Sequence, residues 1–474
     1  MLSPGSGNTV IKSKLISRRM FLITAAKAVV MVGLVGRLIS LQINQATKYK
    51  SLSDKNRFRE WKLAPERGAI KDFFDTKIAS TEPLYQLHLV PENAKDLDNL
   101  FVRLKAILNI TDRKVSYLKR VIKTIKSGWL AHGKNSTLLE DLFIKYTKAN
   151  FCTTVSNCTS GIHAVCIALG LNKDHEVIVP AQTHVATAHA AAITGAKVRF
   201  ADIDYKTGNI LFSEIKKLTN KKTKCLIVVH MTGLSCEMDK IVSFCRKKKI
   251  FLIEDCAHGL GTTYKKKHVG NFGEAGIFSF YPTKQITTGE GGVIISNNKI
   301  LMEKIKIIKS IGVNTPPEKR KIQGVYDVTH LGLNYRLTDF QAALAIGQMQ
   351  RYKQNLNNRR KNAKYYIREL KKIKGVEVQD FNIEHSYFIL QVFFKNIKIR
   401  NNILSILKNK KIGSSIHYAR SVPMMSYYKK KYNLKKTNFI NSENYGSNSI
   451  SLPTHQFISK KMIDKIIKII EENI

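Results

Sequence analysis

The chain has 474 residues, 43% hydrophobic and 24% charged, a globular balance that excludes a peptide, a disordered tail and a fibrous repeat. At about 150 residues per domain, the length allows roughly three domains. The 79 Lys and Arg against 35 Asp and Glu leave a formal charge of +44, for which nucleic-acid binding, an anionic membrane and a coding bias toward Lys, Asn and Ile compete.

The first stretch differs from the rest. No acidic residue precedes Asp54, and Lys12, Lys14, Arg18 and Arg19 lead into the apolar run from Phe21 to Ile43. The pattern predicts a basic cytoplasmic tail over 1–19 and a transmembrane helix over 20–43. Lys27 and Arg37 interrupt that span, and a charge at mid-bilayer costs about 2.5–3.5 kcal/mol. Each stands five positions from Val32. That is about 7.5 Å at ~1.5 Å per residue, close enough to reach a headgroup layer. An amphipathic or buried helix and a mitochondrial-type presequence are the alternatives. Ser17 to Ile23 also resembles a twin-arginine export signal, but no small-residue cleavage site comes after it, so a retained anchor is expected. Lys and Arg flank both ends and leave its orientation open.

The segments SRRMFLITAAKAVVMVGLVGRLISLQI, YKSLSDKNRFREWKLAPERGAIKDFFDTKIAST and YQLHLVPENAKDLDNLFVRLKAIL resemble the opening of an elongation-type class B penicillin-binding protein, over about residues 15–112. The fragment this implies occupies 44–115, and such proteins carry their enzyme outside the membrane. Their transpeptidase needs S-x-x-K, S-x-N and K-[ST]-G in one pocket. Ser116–Lys119 and Lys126–Gly128 match two of these strings, but they begin ten residues apart in one Lys-rich helical stretch. No cell-wall cross-linking is expected from them.

From about residue 128 the pattern becomes α/β. Short apolar runs such as EVIVPAQT, KVRFADID, KCLIVVHM and KIFLIEDCA alternate with helical stretches, which predicts a largely parallel sheet covered on both faces. Ligands in such sheets sit at the carboxyl ends of strands, here marked by Gln182, Thr183, His184, His230, Glu254, Asp255 and His258. The runs Lys247–Lys249, Lys265–Lys267 and Lys429–Lys431 are short and scattered, as solvated helix faces and loops are, so no nucleic-acid partner is expected. Seven cysteines without a C-x-x-C pair, several in apolar surroundings, point to a reducing compartment.

Residues 250–292 are the most informative. Asp255 ends a buried strand, and Lys284 comes after it in a stretch of small residues. A carboxylate that keeps a pyridine nitrogen protonated and an amine that forms a Schiff base are what pyridoxal 5'-phosphate requires. A capping Asp and a surface Lys are the bland reading of the same two residues. Thr159 and Ser160 open a helix at a position that favours a phosphate, unless they serve only as N-caps. Ser279 adds a hydroxyl in the strand before Lys284.

Taken together, SGWLAHGK, NCTSGIHA, PAQTHVATAHA, FADID, FSFYPTKQITTGEGG, LGLNYRLTDFQAALAIGQM and SLPTH resemble the motifs of the DegT/StrS sugar aminotransferases over about residues 120–474. The resemblance implies a fold-type I PLP-dependent enzyme. Its large domain, with a mostly parallel sheet, would cover 116–350, and a small α+β C-terminal domain 351–474. Lys284 would be the cofactor-binding lysine and the acid/base, and Asp255 would pair with the pyridinium. His184 stands at the family's ring-stacking position, where an imidazole stacks or donates a hydrogen bond. His258 would lie near the phenolic oxygen, and Thr159, Ser160 and Ser279 near the phosphate. Asn334 would reach the phosphate in the partner subunit, which makes the active site a property of a homodimer. Arg336 is either a site residue or half of an ion pair. Cys158 stands where the family has Gly, and the family's first dozen residues are missing ahead of SGWL.

The implied activity moves an amino group, from glutamate, to a ketone on a nucleotide-linked deoxysugar for surface polysaccharide, without a metal. That chemistry is cytoplasmic, whereas the anchor resembles one that exports the domain behind it. A join between residues 110 and 128, an inverted inner-membrane anchor, or twin-arginine export would each resolve the conflict. The competing class is a membrane-tethered, non-catalytic binding module.

Overall fold

A computed structural model of the chain describes residues 70–71, 77–79, 96–108, 112–315, 320–322 and 324–474. The expected tail and span, and most of the penicillin-binding-like fragment, lie outside the described residues. Among the described residues, no helix is long and apolar enough to cross a membrane. The chain divides into two units, 1–89 and 90–474. In the first, Ile70–Lys71 pairs antiparallel with Lys77–Ala79.

The second unit opens with three helices, α1 (Leu97–Leu108), α2 (Asp112–Lys126) and α3 (Lys134–Thr147). The Ser116–Lys119 string lies on α2, where Tyr117 packs against Gly347; it marks a packing face, not a nucleophile's pocket. Alternation then runs as the apolar stretches predict: β1 (Phe151–Val155), α4 (Cys158–Ala168), β2 (Glu176–Pro180), α5 (Val185–Ala192), β3 (Lys197–Ala201), α6 (Phe212–Leu218), β4 (Thr223–Val229), α7 (Met238–Lys248) and β5 (Phe251–Asp255). Next come β6 (Ala275–Ser279), β7 (Gly292–Ser296), α8 (Lys299–Ile308), α9 (Asp339–Met349) and α10 (Tyr352–Leu370).

The seven strands form one sheet in the order β1-β7-β6-β5-β4-β2-β3. Val177, Ile178 and Val179 of β2 are fully buried, which is why this strand reads as a continuous apolar run instead of an alternating one. The exception to parallel pairing is β7, antiparallel to both β6 and β1. No helix lies between β6 and β7 to carry the chain back across the sheet, so the loop 280–291 returns it alongside in the opposite sense. That loop carries Lys284.

A second sheet, β8-β9-β10 (Val376–Val378, Leu390–Phe394, Ser449–Leu452), is antiparallel and packs with α10, α11 (Ile397–Asn409) and α14 (Lys460–Glu471) around its own apolar core. Between β9 and β10 also lie α12 (Ser426–Tyr432) and α13 (Ile440–Asn448).

Register in the large sheet depends on close backbone approach. Gly276 in β6 pairs with Glu254 of β5, and a Cβ there would stand 2.2 Å from the Cα of Gly270. Backbone cannot yield as a flexible side chain can. Gly276→Ala is therefore expected to cost about 1–3 kcal/mol or more and to lower the melting temperature by several degrees. Gly413→Ala meets nothing within 4 Å. It should stay within about 0.5 kcal/mol of the parent in the same thermal scan.

Candidate active site

Successive side chains on a strand point to opposite faces, and β5 ends in two carboxylates, so the two must face different surroundings. Glu254 faces inward to a turn. It accepts the amides of Gly270 (2.7 Å), Phe272 (2.7 Å) and Gly273 (2.8 Å). It also meets His230 Nε2 at 3.0 Å, and His230 Nδ1 accepts from the Cys236 amide. Burial pushes this carboxyl up, but His230 and the amides outweigh it and hold the group below its ordinary range. His230, Glu254 and Cys256 lie close enough together to suggest a metal site, yet the carboxylate's lone pairs are already taken. His230 and Glu254, expected with the other strand-end residues at the chemistry, are structural.

Asp255 faces the other way, into a cavity of about 790 Å³ at the carboxyl ends of β1, β2, β5 and β6. It is 4% exposed. Its Oδ2 accepts from Thr187 Oγ1 at 2.8 Å, and its Oδ1 from the Ala257 amide at 3.0 Å. The Cys158 thiol lies 3.9 Å from Oδ1. No Lys, Arg or His among the described residues forms an ion pair with it.

Lys284 shares this cavity. Its ammonium stands 4.7 Å above the ring of Phe388. Burial, only partly offset by the charge of Asp255, brings its pKa down to about 8. Burial and then the Lys284 charge also hold His258 well below the ordinary histidine range, and bring His417 down to about 4. Burial, then Asp255, pushes the Tyr418 phenol up. The cavity thus holds one buried carboxylate, Asp255, an exposed one, Glu290, and one easily neutralised amine among uncharged rings.

The remaining expected residues divide. His258 is buried, stacks on Phe388 at 4.3 Å, approaches the Tyr418 hydroxyl at 3.4 Å and leaves Nδ1 without a partner. His184 is exposed at the mouth, where it caps α5 and meets Tyr418 edge-on. Thr159 and Ser279 line the cavity. The cap of α4 is Asn157, in place of Thr159 or Ser160, and Ser160's hydroxyl is committed to closing that capping box. This leaves Thr159 and the leading amides of α4 to face a ligand, and the first turn has no intrahelical partner for such amides. Gly292 makes room for this helix start, because a Cβ there would approach the Cys158 amide at 3.2 Å and the Phe278 carbonyl at 2.6 Å. Asn334 stands elsewhere: it is exposed, pairs with Ser310 and does not line the cavity. Arg336 does not line it either, whereas Tyr335 does and meets His163 at 3.0 Å.

Sequence reasoning missed Thr187, Phe388, His417 and Tyr418. Thr187 carried a faint signal, four residues after Thr183 at a helix start. The other three carried none, since they come from the distant C-terminal part of the chain.

An anion and an amine that share a cavity without an ion-pair contact, an orphaned imidazole nitrogen and a helix start with leading amides fit pyridoxal phosphate. The depressed amine is directly testable. In cofactor-free protein, the reaction of Lys284 with an aldehyde reagent should rise with pH through a midpoint near 8 as the neutral amine forms, about two units before an ordinary lysine. Asp255→Asn removes the charge that favours the ammonium, so the midpoint should fall further. A midpoint at the ordinary lysine value would contradict the burial described.

The DegT/DnrJ/EryC1/StrS aminotransferase family matches residues 112–471. A Campylobacter jejuni UDP-4-amino-4,6-dideoxy-N-acetyl-beta-L-altrosamine transaminase is 34% identical over 357 residues, covering 73% of this chain and 91% of that protein. The GDP-perosamine synthase of Escherichia coli O157:H7 is 30% identical over 366 residues, covering 77% of this chain and 96% of the synthase. In fold, the chain is similar to the Spr1654 protein of Streptococcus pneumoniae, solved in PMP and PLP forms. The PMP form has a TM-score of 0.72 at 24% identity, covering 77% of this chain and 96% of that one. The expected fold-type I architecture is therefore present, and the chain belongs to the DegT/DnrJ/EryC1/StrS family of pyridoxal-phosphate sugar aminotransferases.

Proposed function

We propose that the enzyme transfers an amino group from glutamate to the ketone of a nucleotide-linked deoxysugar, on a route to surface polysaccharide. The observation that carries this reading is the pairing, in one cavity, of a buried carboxylate lacking a cation with an amine depressed to about 8. The names of the two relatives, a UDP-linked and a GDP-linked sugar enzyme, support a nucleotide sugar as acceptor.

When bound, pyridoxal phosphate supplies an aldehyde that captures amines and a ring that withdraws electrons. Asp255 would hold a proton on the ring nitrogen. Lys284 would hold the aldehyde carbon through Nζ and would be the base for the proton on the donor's Cα. At neutral pH a useful fraction of that amine is already free of its own proton. Thr159, the leading amides of α4 and Ser279 hold the phosphate, with Ser160 bracing the turn. His258 would face the phenolic oxygen, and His184 at the mouth would cover the ring or donate to it. Phe388, His417 and Tyr418 exclude water from Nζ.

Asn334, exposed on one protomer, is proposed to complete the phosphate site of a partner in a homodimer. For the chain as a whole we propose a large domain over 116–350 and a small one over 351–474. Ahead of them we place a basic tail (1–19), a retained span (20–43) and a penicillin-binding-like fragment (44–115), with the enzyme on the cytoplasmic face of the inner membrane. A full-length translated product crossing residues 110–128 supports one polypeptide, and a shorter product beginning after them ends that part of the proposal.

Reconstituted protein should show a visible absorbance band that borohydride bleaches, and Lys284→Ala should abolish both the band and amino transfer from glutamate to keto-sugar nucleotides. A protein that stays colourless with added cofactor overturns the reading. Mixing Lys284→Ala with Asn334→Ala protein should restore part of the activity that each lacks alone, since a mixed dimer holds one intact site; no recovery removes the shared-site proposal.

A further inference from the structure

Two threonine hydroxyls are placed for Asp255, that of Thr187 outside the cavity lining and that of Thr183 in a residue that also lines the cavity. Thr187, in the first turn of α5, puts Oγ1 2.8 Å from Asp255 Oδ2. Thr183, just ahead of α5, puts its Oγ1 2.8 Å from that of Thr187. Exposure is 1% for Thr183, 0% for Thr187 and 4% for Asp255, so water does not compete for these bonds. The other carboxylate oxygen, Oδ1, is held by the Ala257 amide at 3.0 Å. Both oxygens are fixed, and the carboxylate cannot turn about its Cβ–Cγ bond without breaking one of them.

The directions of these bonds are set by counting hydrogens. Each hydroxyl has one hydrogen to give, and an ionised carboxylate has none. Thr187 must therefore donate to Oδ2, and Thr183 must donate to Thr187. Every hydrogen then has an acceptor. A proton on the Oδ2 lone pair that faces Thr187 would reverse the order: the acid would donate to Thr187, and Thr187 to Thr183. The Thr183 hydrogen is then left without an acceptor among the described residues, in a place where an unmade bond is penalised.

We propose that Thr183 and Thr187 are positioning residues forming a proton-ordered relay. Their hydrogens both point toward Asp255, which keeps a proton off the Thr187-facing side of this carboxylate and leaves its free lone pairs for the cofactor's ring nitrogen. The relay rests on the pairing of Asp255 with that nitrogen, and it acts through Asp255 without touching substrate.

The test uses the reconstituted holoenzyme. Thr187→Val removes the donor and strands the Thr183 hydroxyl. A hydrogen bond to a charged group of this kind corresponds to roughly ten- to hundredfold. That loss is expected in pyridoxal-phosphate affinity and in kcat, with KM for the sugar nearly unchanged. The pH midpoint of the visible band should also move up, because a ring nitrogen that loses its proton no longer opposes a proton at Lys284 Nζ. Thr187→Ser should restore all three values. Thr183→Val should shift the midpoint the same way but less, since Thr187 can still donate. If Thr187→Val keeps the parent midpoint and affinity, or if Thr187→Ser fails to restore them, the relay is wrong. Should Thr187→Val not fold, an unchanged midpoint in Thr183→Val overturns the relay on its own. Asp255→Asn separates the two readings. A shift there without one in Thr187→Val sinks the relay alone, whereas no shift in Asp255→Asn sinks the pairing on which it rests.

Discussion

A carboxylate buried at the end of a central strand, with no cation beside it, is the constraint around which the site is arranged. An isolated anion in such a place is costly unless strong donors surround it. Asp255 meets that demand with the Thr187 hydroxyl and the Ala257 amide, and leaves lone pairs facing the cavity. Its neighbour Glu254 meets the same demand with three amides and an imidazole, and leaves nothing over. One residue of strand alternation separates a structural carboxylate from a chemical one.

The amine opposite depends on a different feature, the return of the chain from β6 to β7. Because β7 runs antiparallel to β6, the loop 280–291 stays at the carboxyl ends of the strands, beside Asp255. The C-terminal part of the chain then closes over it: Phe388 beneath the ammonium, with His417 and Tyr418 lining the same cavity. These groups carry no negative charge, so the burial they cause outweighs what the Phe388 ring returns to the ammonium, and its pKa falls. A lysine that is nucleophilic near neutral pH is thus the product of a loop of the large sheet that carries it and C-terminal segments that cover it.

The large positive charge stays outside this arrangement. Lys247 and Lys248 lie in the last turn of α7, and Lys429 to Lys431 in the last turn of α12, where the helix dipole favours cations. Lys265 and Lys266 form the turn of a small hairpin between Thr263–Tyr264 and Lys267–His268, and Lys267 opens its second strand. Several ion pairs among the described residues join exposed side chains, as Lys240–Glu237 and Lys371–Asp380 do, and pairs of that kind add little to stability. Among the described residues, these three runs lie at helix ends and in a hairpin.

The alternating apolar runs, the Asp255 and Lys284 pair and the small-residue motifs were legible along the chain, because each depends on local periodicity or on the chemistry of one side chain. The sheet class, the cofactor and its two central residues came from them. The helix cap was nearly legible: Asn157 and Ser160 close the box three residues apart, with the cap two positions earlier than Thr159 suggested. What sequence could not decide was which way a strand-end side chain points and what meets it. Glu254 and Asp255 are adjacent and chemically alike, and only the pleat and its neighbours assign them opposite roles. Thr187 meets Asp255 across 68 residues of chain, and Tyr418 meets His258 across 160. Contacts at such separations leave no periodic trace, since they are made by the packing of whole elements, and it is they that set the protonation and orientation on which the chemistry depends.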